Sequence, residues 1–316
     1  MTFPAHPGRV DWPLAKAELV PHLEPFASAA LIRWERQRPA AVEPLTSAVS
    51  SCIYRIKPSE AAGFLNPPLH EWPFRVGVRK GDWMLPDVEN LTGGLPLALG
   101  FGRFVEEHGR IPKWSEAADW FMRPEQAPIF FGPAWDLYRS MDEAARPAPW
   151  RWKRAINWRI GNAYLSFVRE MDFLSRMIHD HGVPLRMHIL ADAVLKVDFW
   201  VGRHAVCLFI PNDMRDRKAS PKASTGVVHS VQIGDGSAWV EKDGQRRKLQ
   251  WNEIKQAPES ILEMLAQAIR EDRPMSQRTA ATLPPRSASQ ASWKPSVPFL
   301  RPPPATKPRP QNASTS

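Results

Sequence analysis

The sequence predicts an α+β protein, in which a mostly helical N-terminal region precedes a small α/β domain with a mixed sheet and a disordered C-terminal tail. Apolar residues recur at helical spacing before residue 179, and β-rich apolar runs separated by turn residues follow between 185 and 251. Residues 273–316 contain ten prolines and no acidic residue. The predicted boundaries are therefore 1–145 for the N-terminal region, 146–272 for the α/β domain and 273–316 for the tail.

The clearest single element is a helix that ends near residue 180. Its apolar stripe has alternating spacings of four and three residues, and it consists of Ile160, Tyr164, Phe167, Met171, Leu174 and Ile178. Further helices are expected over 26–36, 95–108, 115–122, 133–145 and 259–270. Strands are expected over 185–190, 194–201, 205–210 and 226–233, and a hairpin over 238–251.

The positive charge of the chain is concentrated at one end. The formal net charge is +9, and subtracting the seven basic residues of 273–316 leaves only +2 for residues 1–272. A proline-rich basic segment with few apolar residues cannot bury enough surface to offset its ordering entropy, so we expect it to be disordered. Residues 294–304 either dock into an aromatic-lined groove of a protein partner or belong to a solvated spacer.

Composition excludes several classes of protein. No window approaches the roughly 18 uninterrupted apolar residues of a membrane span, and the N-terminus lacks the apolar core of a signal peptide. The two cysteines, Cys52 and Cys207, are too few for a disulfide framework. A soluble cytoplasmic protein without membrane association is therefore expected.

A basic and aromatic segment opens the α/β domain. Residues 146–159 read RPAPWRWKRAINWR and contain no acidic side chain. Arg151, Lys153 and Arg154 are candidates for neutralising nucleic-acid phosphates, and Trp152 for stacking on a base. The alternative is the start of a helix whose tryptophans pack inward while its basic side chains stay solvated.

Two carboxylates are candidates for residues of a functional site. Asp198 interrupts the apolar run AVLKVDFWV, and burying a carboxylate is costly unless it is paired or holds a metal. Glu170 lies at the edge of the apolar stripe of the preceding helix, from which it can reach a neighbouring sheet.

This order of elements, a helix with Glu170, a strand and a hairpin led by Asp198, resembles the opening of the PD-(D/E)XK, or restriction-endonuclease-like, nuclease core. The resemblance covers residues 155–235. It implies an αβββαβ fold in which Glu170 and Asp198 hold Mg²⁺, and an acid-x-Lys motif on the third strand completes the catalytic site.

The expected third strand departs from this family pattern, because Cys207 and Phe209 occupy its acid and lysine positions. An Asp-x-Lys sequence occurs later, with Asp216 and Lys218 as catalytic candidates in a polar segment. Three interpretations stay open at this point. The motif is displaced, the nuclease-like fold has lost catalysis, or the domain is unrelated and Asp198 pairs with Lys196 or an arginine.

The sequence thus favours a nucleic-acid-associated protein with a nuclease-like domain, either a magnesium-dependent nuclease or a degenerate relative without a cofactor. The alternative is a non-enzymatic scaffold protein that binds a protein partner through its proline-rich tail and a tryptophan-rich surface.

Overall fold

The computed structural model describes residues 6–23, 25–37, 43–65, 85–89, 95–195, 197–209, 227–233, 239–242, 245–248 and 256–275. Asp216, Lys218, Lys196 and the tail beyond Met275 lie outside the described residues. Ten helices are found in these ranges: α1 Trp12–Leu19, α2 Pro25–Gln37, α3 Glu43–Thr46, α4 Pro58–Leu65, α5 Pro86–Glu89, α6 Leu97–His108, α7 Trp114–Phe121, α8 Ala127–Ser140, α9 Pro149–His179 and α10 Glu259–Arg270.

The strands form three small sheets. They are β1 Val10–Asp11, β2 Val49–Ser50, β3 Phe199–Val201, β4 His204–Phe209, β5 Val227–Gln232, β6 Trp239–Lys242 and β7 Gln245–Lys248. The central sheet has the order β3-β4-β5, with β3 antiparallel and β5 parallel to β4. An isolated antiparallel bridge from Arg186 to Trp200 adds a further segment beside β3. This mixed sheet and the helices confirm the predicted α+β class, whereas the nuclease-like fold stays a prediction.

Helix α9 is 31 residues long and positions most of the other elements. It starts with Pro149, whose fixed φ and missing N–H suit the first turn of a helix. The predicted apolar stripe is buried as expected, from Ile160 to Ile178. The helix begins earlier than its stripe, because Trp152 and Trp158 also pack inward. The burial of Trp152 and Trp158 agrees with the alternative prediction for residues 146–159, in which this segment is the start of a helix whose tryptophans pack inward.

One hydrophobic core joins the parts of the chain before and after residue 145. It extends from Val10 to Ile269 and includes most of the inward face of α9. Polar contacts cross the same junction, since the Tyr54 hydroxyl donates to the carbonyl oxygen of Met187 at 3.2 Å. The indole N–H of Trp200 donates to Glu18 at 2.8 Å. The N-terminal helices therefore form part of the support for the sheet.

The strand expected over 185–190 is represented only by the isolated bridge at Arg186, and residues 189 and 190 are helical. Two further predicted elements also differ from the observed ones. Residues 191–195 form a single π-helical turn, although a strand was expected from 194, and β3 starts only at Phe199. Helix α8 begins at Ala127 and continues through Pro133, which was expected near its start. In both cases local turn and strand preferences are outweighed by burial of apolar side chains on the core.

The end of α10 is fixed to the β3–β4 hairpin. Asp272 adopts a left-handed backbone conformation with φ 54° just after the helix. Its carboxylate accepts hydrogen bonds from Arg203 Nε at 2.7 Å and lies 2.9 Å from His204 Nε2. These contacts hold the end of α10 against the hairpin.

No helix within the described residues is long and apolar enough to cross a membrane.

Candidate functional site

Three carboxylates from separate elements meet at one cavity of about 360 Å³. Glu170 is supplied by α9, Asp192 by the π-helical turn and Asp198 by the residue directly before β3. The remaining lining includes apolar side chains of α6, α9 and the segment before the π turn. The fold thus brings together the two predicted acids, Glu170 and Asp198, with a third.

Asp198 lies at a bend outside the regular part of the sheet and is only partly buried. This corrects the expectation that it occupies the interior of a strand. Its Oδ2 atom accepts a hydrogen bond from the backbone N–H of Leu208 on β4 at 2.5 Å. The hairpin closed by Gly202, whose φ is 53°, brings β4 back beside this carboxylate. Asp198 is therefore oriented by the backbone of the next strand.

Glu170 is the electrostatically costly member of the group. Among the described residues, no hydrogen bond or ion pair reaches its carboxylate. Burial, followed by the negative charges of Asp192 and Asp198, raises the pKa of Glu170 well above its ordinary value, and Arg169 opposes this only in part. A carboxylate held in this way is a candidate for a functional group, because a protein gains no stability from it.

Asp192 was not recognised from the sequence. It lies six residues before Asp198 in the run ILADAVLKVD, where it reads as part of a short apolar segment. The π-helical turn, which includes one more residue than an α-helical turn, is often found at functional sites and here turns Asp192 into the cavity. The only indication of Asp192 in the sequence is that an acidic residue interrupts an apolar run close to Asp198.

Two further acids of the cavity have structural roles. Glu106 Oε1 accepts hydrogen bonds from the backbone N–H groups of Ser51 and Cys52 at 2.7 and 3.0 Å. Glu107 accepts from the indole N–H of Trp120 at 3.2 Å. These bonds hold the segment after β2 and helix α7 against α6, so Glu106 and Glu107 are occupied.

The carboxylates suit a hard divalent cation in ligand type, but they do not form a complete cage. Within the described ranges, no three histidine, cysteine, aspartate or glutamate side chains are grouped so that they could hold a metal ion by themselves. Mg²⁺ usually keeps several waters and takes one or two protein carboxylates together with substrate phosphates. Glu170 and Asp198 therefore fit Mg²⁺ only as an open site of this kind.

Part of the cavity lining is apolar, and one cation lies among the described lining residues. Leu99, Phe167 and Ile189 belong to this apolar part, and Phe167 is stacked on Phe101 with ring centroids 5.3 Å apart. Arg103 of α6 also lines the cavity, and burial lowers the pKa of its guanidinium. The cavity thus combines carboxylates, apolar side chains and a single arginine among its described lining residues.

The basic and aromatic segment at the start of α9 is only partly available to a ligand. Trp152 is fully buried, with its ring 5.2 Å from that of Tyr138, which corrects the expectation that it stacks on a base. Trp150 is 60% exposed instead, and the guanidinium of Arg154 lies 5.5 Å above its ring. Arg151 and Lys153 are exposed as expected.

This basic segment does not adjoin the cavity. Trp150 and Glu170 are 20 positions apart on α9. At about 1.5 Å and 100° per residue, they are separated by about 30 Å along the helix and by about 200° around it. Trp150 and Glu170 therefore lie on opposite sides of α9.

The tryptophans whose side chains are described do not form an exposed surface. Among the tryptophans whose side chains are described, Trp150 alone is exposed. The others pack wholly or partly into the interior, as large apolar side chains generally do.

No protein family model matches this sequence, and comparisons with curated proteins and with solved structures found no significant similarity. The function of the cavity must be inferred from its own residues.

Proposed function

We propose that the cavity between α6, α9 and the β3–β4 hairpin is a magnesium-dependent site for phosphodiester hydrolysis in a nucleic-acid-associated protein. The observation that carries this proposal is the convergence of Glu170, Asp192 and Asp198 on one cavity. Burial and the two neighbouring carboxylates raise the pKa of Glu170 there. The order of helix α9, the β3–β4 hairpin and the parallel strand β5 supports the nuclease-like resemblance.

Each side chain has a role that follows from its position. Asp198, oriented by the N–H of Leu208, and Glu170, on the rigid helix α9, would bind the cation. A bound Mg²⁺ would polarise the phosphate and lower the pKa of a bound water. Arg103, which also lines the cavity, would neutralise charge on the phosphate.

Further residues complete the proposal. Asp216 and Lys218 would supply the acid and lysine that β4 lacks. Arg151, Lys153 and Arg154 would bind the nucleic-acid backbone, and exposed Trp150 replaces Trp152 as the side chain that can stack on a base.

The decisive experiment measures cleavage of end-labelled DNA and RNA by the purified protein in Mg²⁺ and in EDTA. We expect cleavage only in Mg²⁺, and its loss in the separate variants Asp198→Asn and Glu170→Gln. Glu143→Gln is the matched control, because Glu143 is exposed and lies in a turn outside the cavity.

Cleavage that persists in EDTA, or that survives both cavity substitutions, would overturn the proposal. A protein that binds nucleic acid equally well with and without Mg²⁺ but cleaves nothing would be a degenerate nuclease-like module. Isothermal titration of Mg²⁺ into wild type and Asp198→Asn distinguishes that outcome from an active site tested with the wrong nucleic acid.

A further inference from the structure

The size of the cavity restricts what can reach its carboxylates. Its volume of about 360 Å³ lies at the lower end of the range of pockets that hold small ligands. A stacked base pair is too large for such a cavity, and proteins that hold a base in a pocket bind it unpaired or take it out of the base stack. The available space therefore suits one nucleotide unit.

The apolar wall provides a surface for a flat ring. Leu99 and Phe167 lie on adjacent helices, and the ring of Phe167 is held by its stacking on Phe101. A wall of this type favours an unpaired base, since every base presents an apolar face and stacking is tolerant of sequence.

Gly102 shows that space in this wall is maintained at a cost. It lies in the interior of α6, where glycine is less stable than alanine. A Cβ atom built on Gly102 meets no heavy atom within 4 Å, whereas one on Gly100 would meet the ring of Phe121 at 2.4 Å. Helix packing thus explains Gly100 but not Gly102, which lines the cavity. The missing side chain leaves room for a ligand to approach the α6 backbone.

Arg103 follows Gly102 and also lines the cavity. Among the described residues, the one hydrogen bond of its guanidinium is a long contact of 3.5 Å to the carbonyl of Pro44, and the carboxylate of Glu107, which also lines the cavity, interacts with it electrostatically. The remaining N–H donors of the planar group match a phosphate in geometry and charge. Base and phosphate contacts are therefore adjacent on α6.

We infer that the cavity binds one unpaired nucleotide, with its base against Leu99 and Gly102 and its phosphate at Arg103, so that the substrate is single-stranded nucleic acid. This inference rests on the proposed function, because the same carboxylates would face the phosphate of that nucleotide. It adds the substrate class to the proposed reaction.

The test compares a fluorescently labelled single-stranded oligonucleotide with the duplex of the same sequence. Binding is measured by anisotropy in Ca²⁺, and cleavage in Mg²⁺. We expect the single strand to bind about tenfold or more tightly than the duplex, the size of effect expected from one stacked base. Thymidine 5′-monophosphate is added as a competitor, and it should displace the single strand if one nucleotide is the recognised unit.

The matched variants are Gly102→Leu and Gly63→Leu. Both glycines lie in helices and both have open space at the Cβ position, but Gly63 is not part of the cavity. Gly102→Leu should fill the cavity and weaken single-strand binding by about tenfold or more, whereas Gly63→Leu should bind as wild type does. Thermal melting monitors the fold of both, and Gly102→Ala provides a smaller substitution if leucine impairs folding.

Wild-type binding by Gly102→Leu, or equal or tighter binding of the duplex, would overturn the inference. A protein that cleaves duplex preferentially would retain the proposed hydrolysis and lose this substrate class. A protein that cleaves nothing, but binds single strands in a manner that depends on Gly102, would retain this substrate class and lose the proposed hydrolysis.

Discussion

His204 and His229 lie side by side in the interior of the central sheet, with Nδ1 of the first 2.9 Å from Nε2 of the second. Both side chains are 1% exposed. Since His204 Nε2 lies 2.9 Å from Asp272 Oδ1, it is assigned the proton, which leaves its Nδ1 to accept from His229. Nδ1 of His229 then has no hydrogen-bond partner among the described residues. This arrangement requires His229 to be neutral.

The pair makes stability sensitive to acid. Burial, reinforced by the neighbouring His204, lowers the pKa of His229 to about 4. An unfolded histidine takes up its proton as the pH falls through about 6.5, so between that pH and about 4 the unfolded state binds more protons than the folded state. Stability is therefore lost as the pH falls through this window, by about 3 kcal/mol in total, because one pKa unit corresponds to about 1.4 kcal/mol.

Urea unfolding of wild type and His229→Gln from pH 4 to 8 measures this contribution. Glutamine keeps a donor towards His204 but does not titrate, so the difference in unfolding free energy between the two proteins should change with pH. A difference that is constant over this range would show that His229 is not the responsible group.

Two neighbouring tryptophans on α9 should respond oppositely to truncation. Trp152→Ala removes a fully buried ring and should lower the free energy of unfolding by about 3–5 kcal/mol. Trp150→Ala removes an exposed ring and should change it by less than about 1 kcal/mol, while weakening any nucleic-acid binding by the start of α9. Chemical denaturation and anisotropy measure the two effects, and a comparable loss of stability in both variants would contradict the assignment.

The glycines of α6 provide a second matched pair. Gly100→Ala would place a methyl group 2.4 Å from the ring of Phe121, and it should cost about 1–3 kcal/mol. Gly102→Ala meets open space and should stabilise the helix by about 0.5–1 kcal/mol. The midpoints of urea unfolding show whether each substitution raises or lowers the stability. Destabilisation by Gly102→Ala would mean that the cavity wall is closed at this point.

Glu170→Gln should stabilise the protein in the absence of metal. The pKa of Glu170 is raised above its ordinary value, so the folded state binds more protons than the unfolded state, and wild type loses stability as the pH rises above about 4.5. Glutamine removes this loss, and at pH 7 we expect a gain of about 0.5–2 kcal/mol, which is typical of neutralising a functional group.

Glu259→Gln is the control of opposite sign. Glu259 forms ion pairs with Arg176 and with His181 at the surface, and Arg176 lowers its pKa. Its substitution should therefore destabilise slightly or have no effect. Calorimetric melting in EDTA compares the variants, and a loss of stability in Glu170→Gln would show that its carboxylate is compensated in the folded protein.

The sequence predicts those parts of the fold whose pattern is strictly periodic. Helix α10 begins and ends at the expected residues, 259 and 270, because four apolar side chains define one face. The π turn at 191–195 could not be predicted, since a single inserted residue leaves no periodicity. The start of α9 was similarly obscured, because Trp150 and Trp152 look alike in a sequence although one is exposed and the other buried.

The candidate site likewise contains residues that the sequence predicts and residues that it does not. Glu170 and Asp198 could be selected because each carboxylate stands in or beside an apolar pattern that a charge disturbs. Asp192 and Arg103 reach the cavity only through the π turn and the packing of α6, which depend on contacts distant in sequence. The convergence of side chains from α6, α9 and the hairpin is a property of the shared core and not of any local motif.

The length of α9 has a consequence for the polymer that the protein would act on. The exposed side chains near Trp150 and the cavity at Glu170 are joined by one continuous helix, so their separation of about 30 Å is fixed. At the spacing of about 3.4 Å per nucleotide of a stacked strand, this separation corresponds to about nine nucleotides, and the path around the helix is longer. Short oligonucleotides could then occupy one place or the other, and only longer ones could bridge the two.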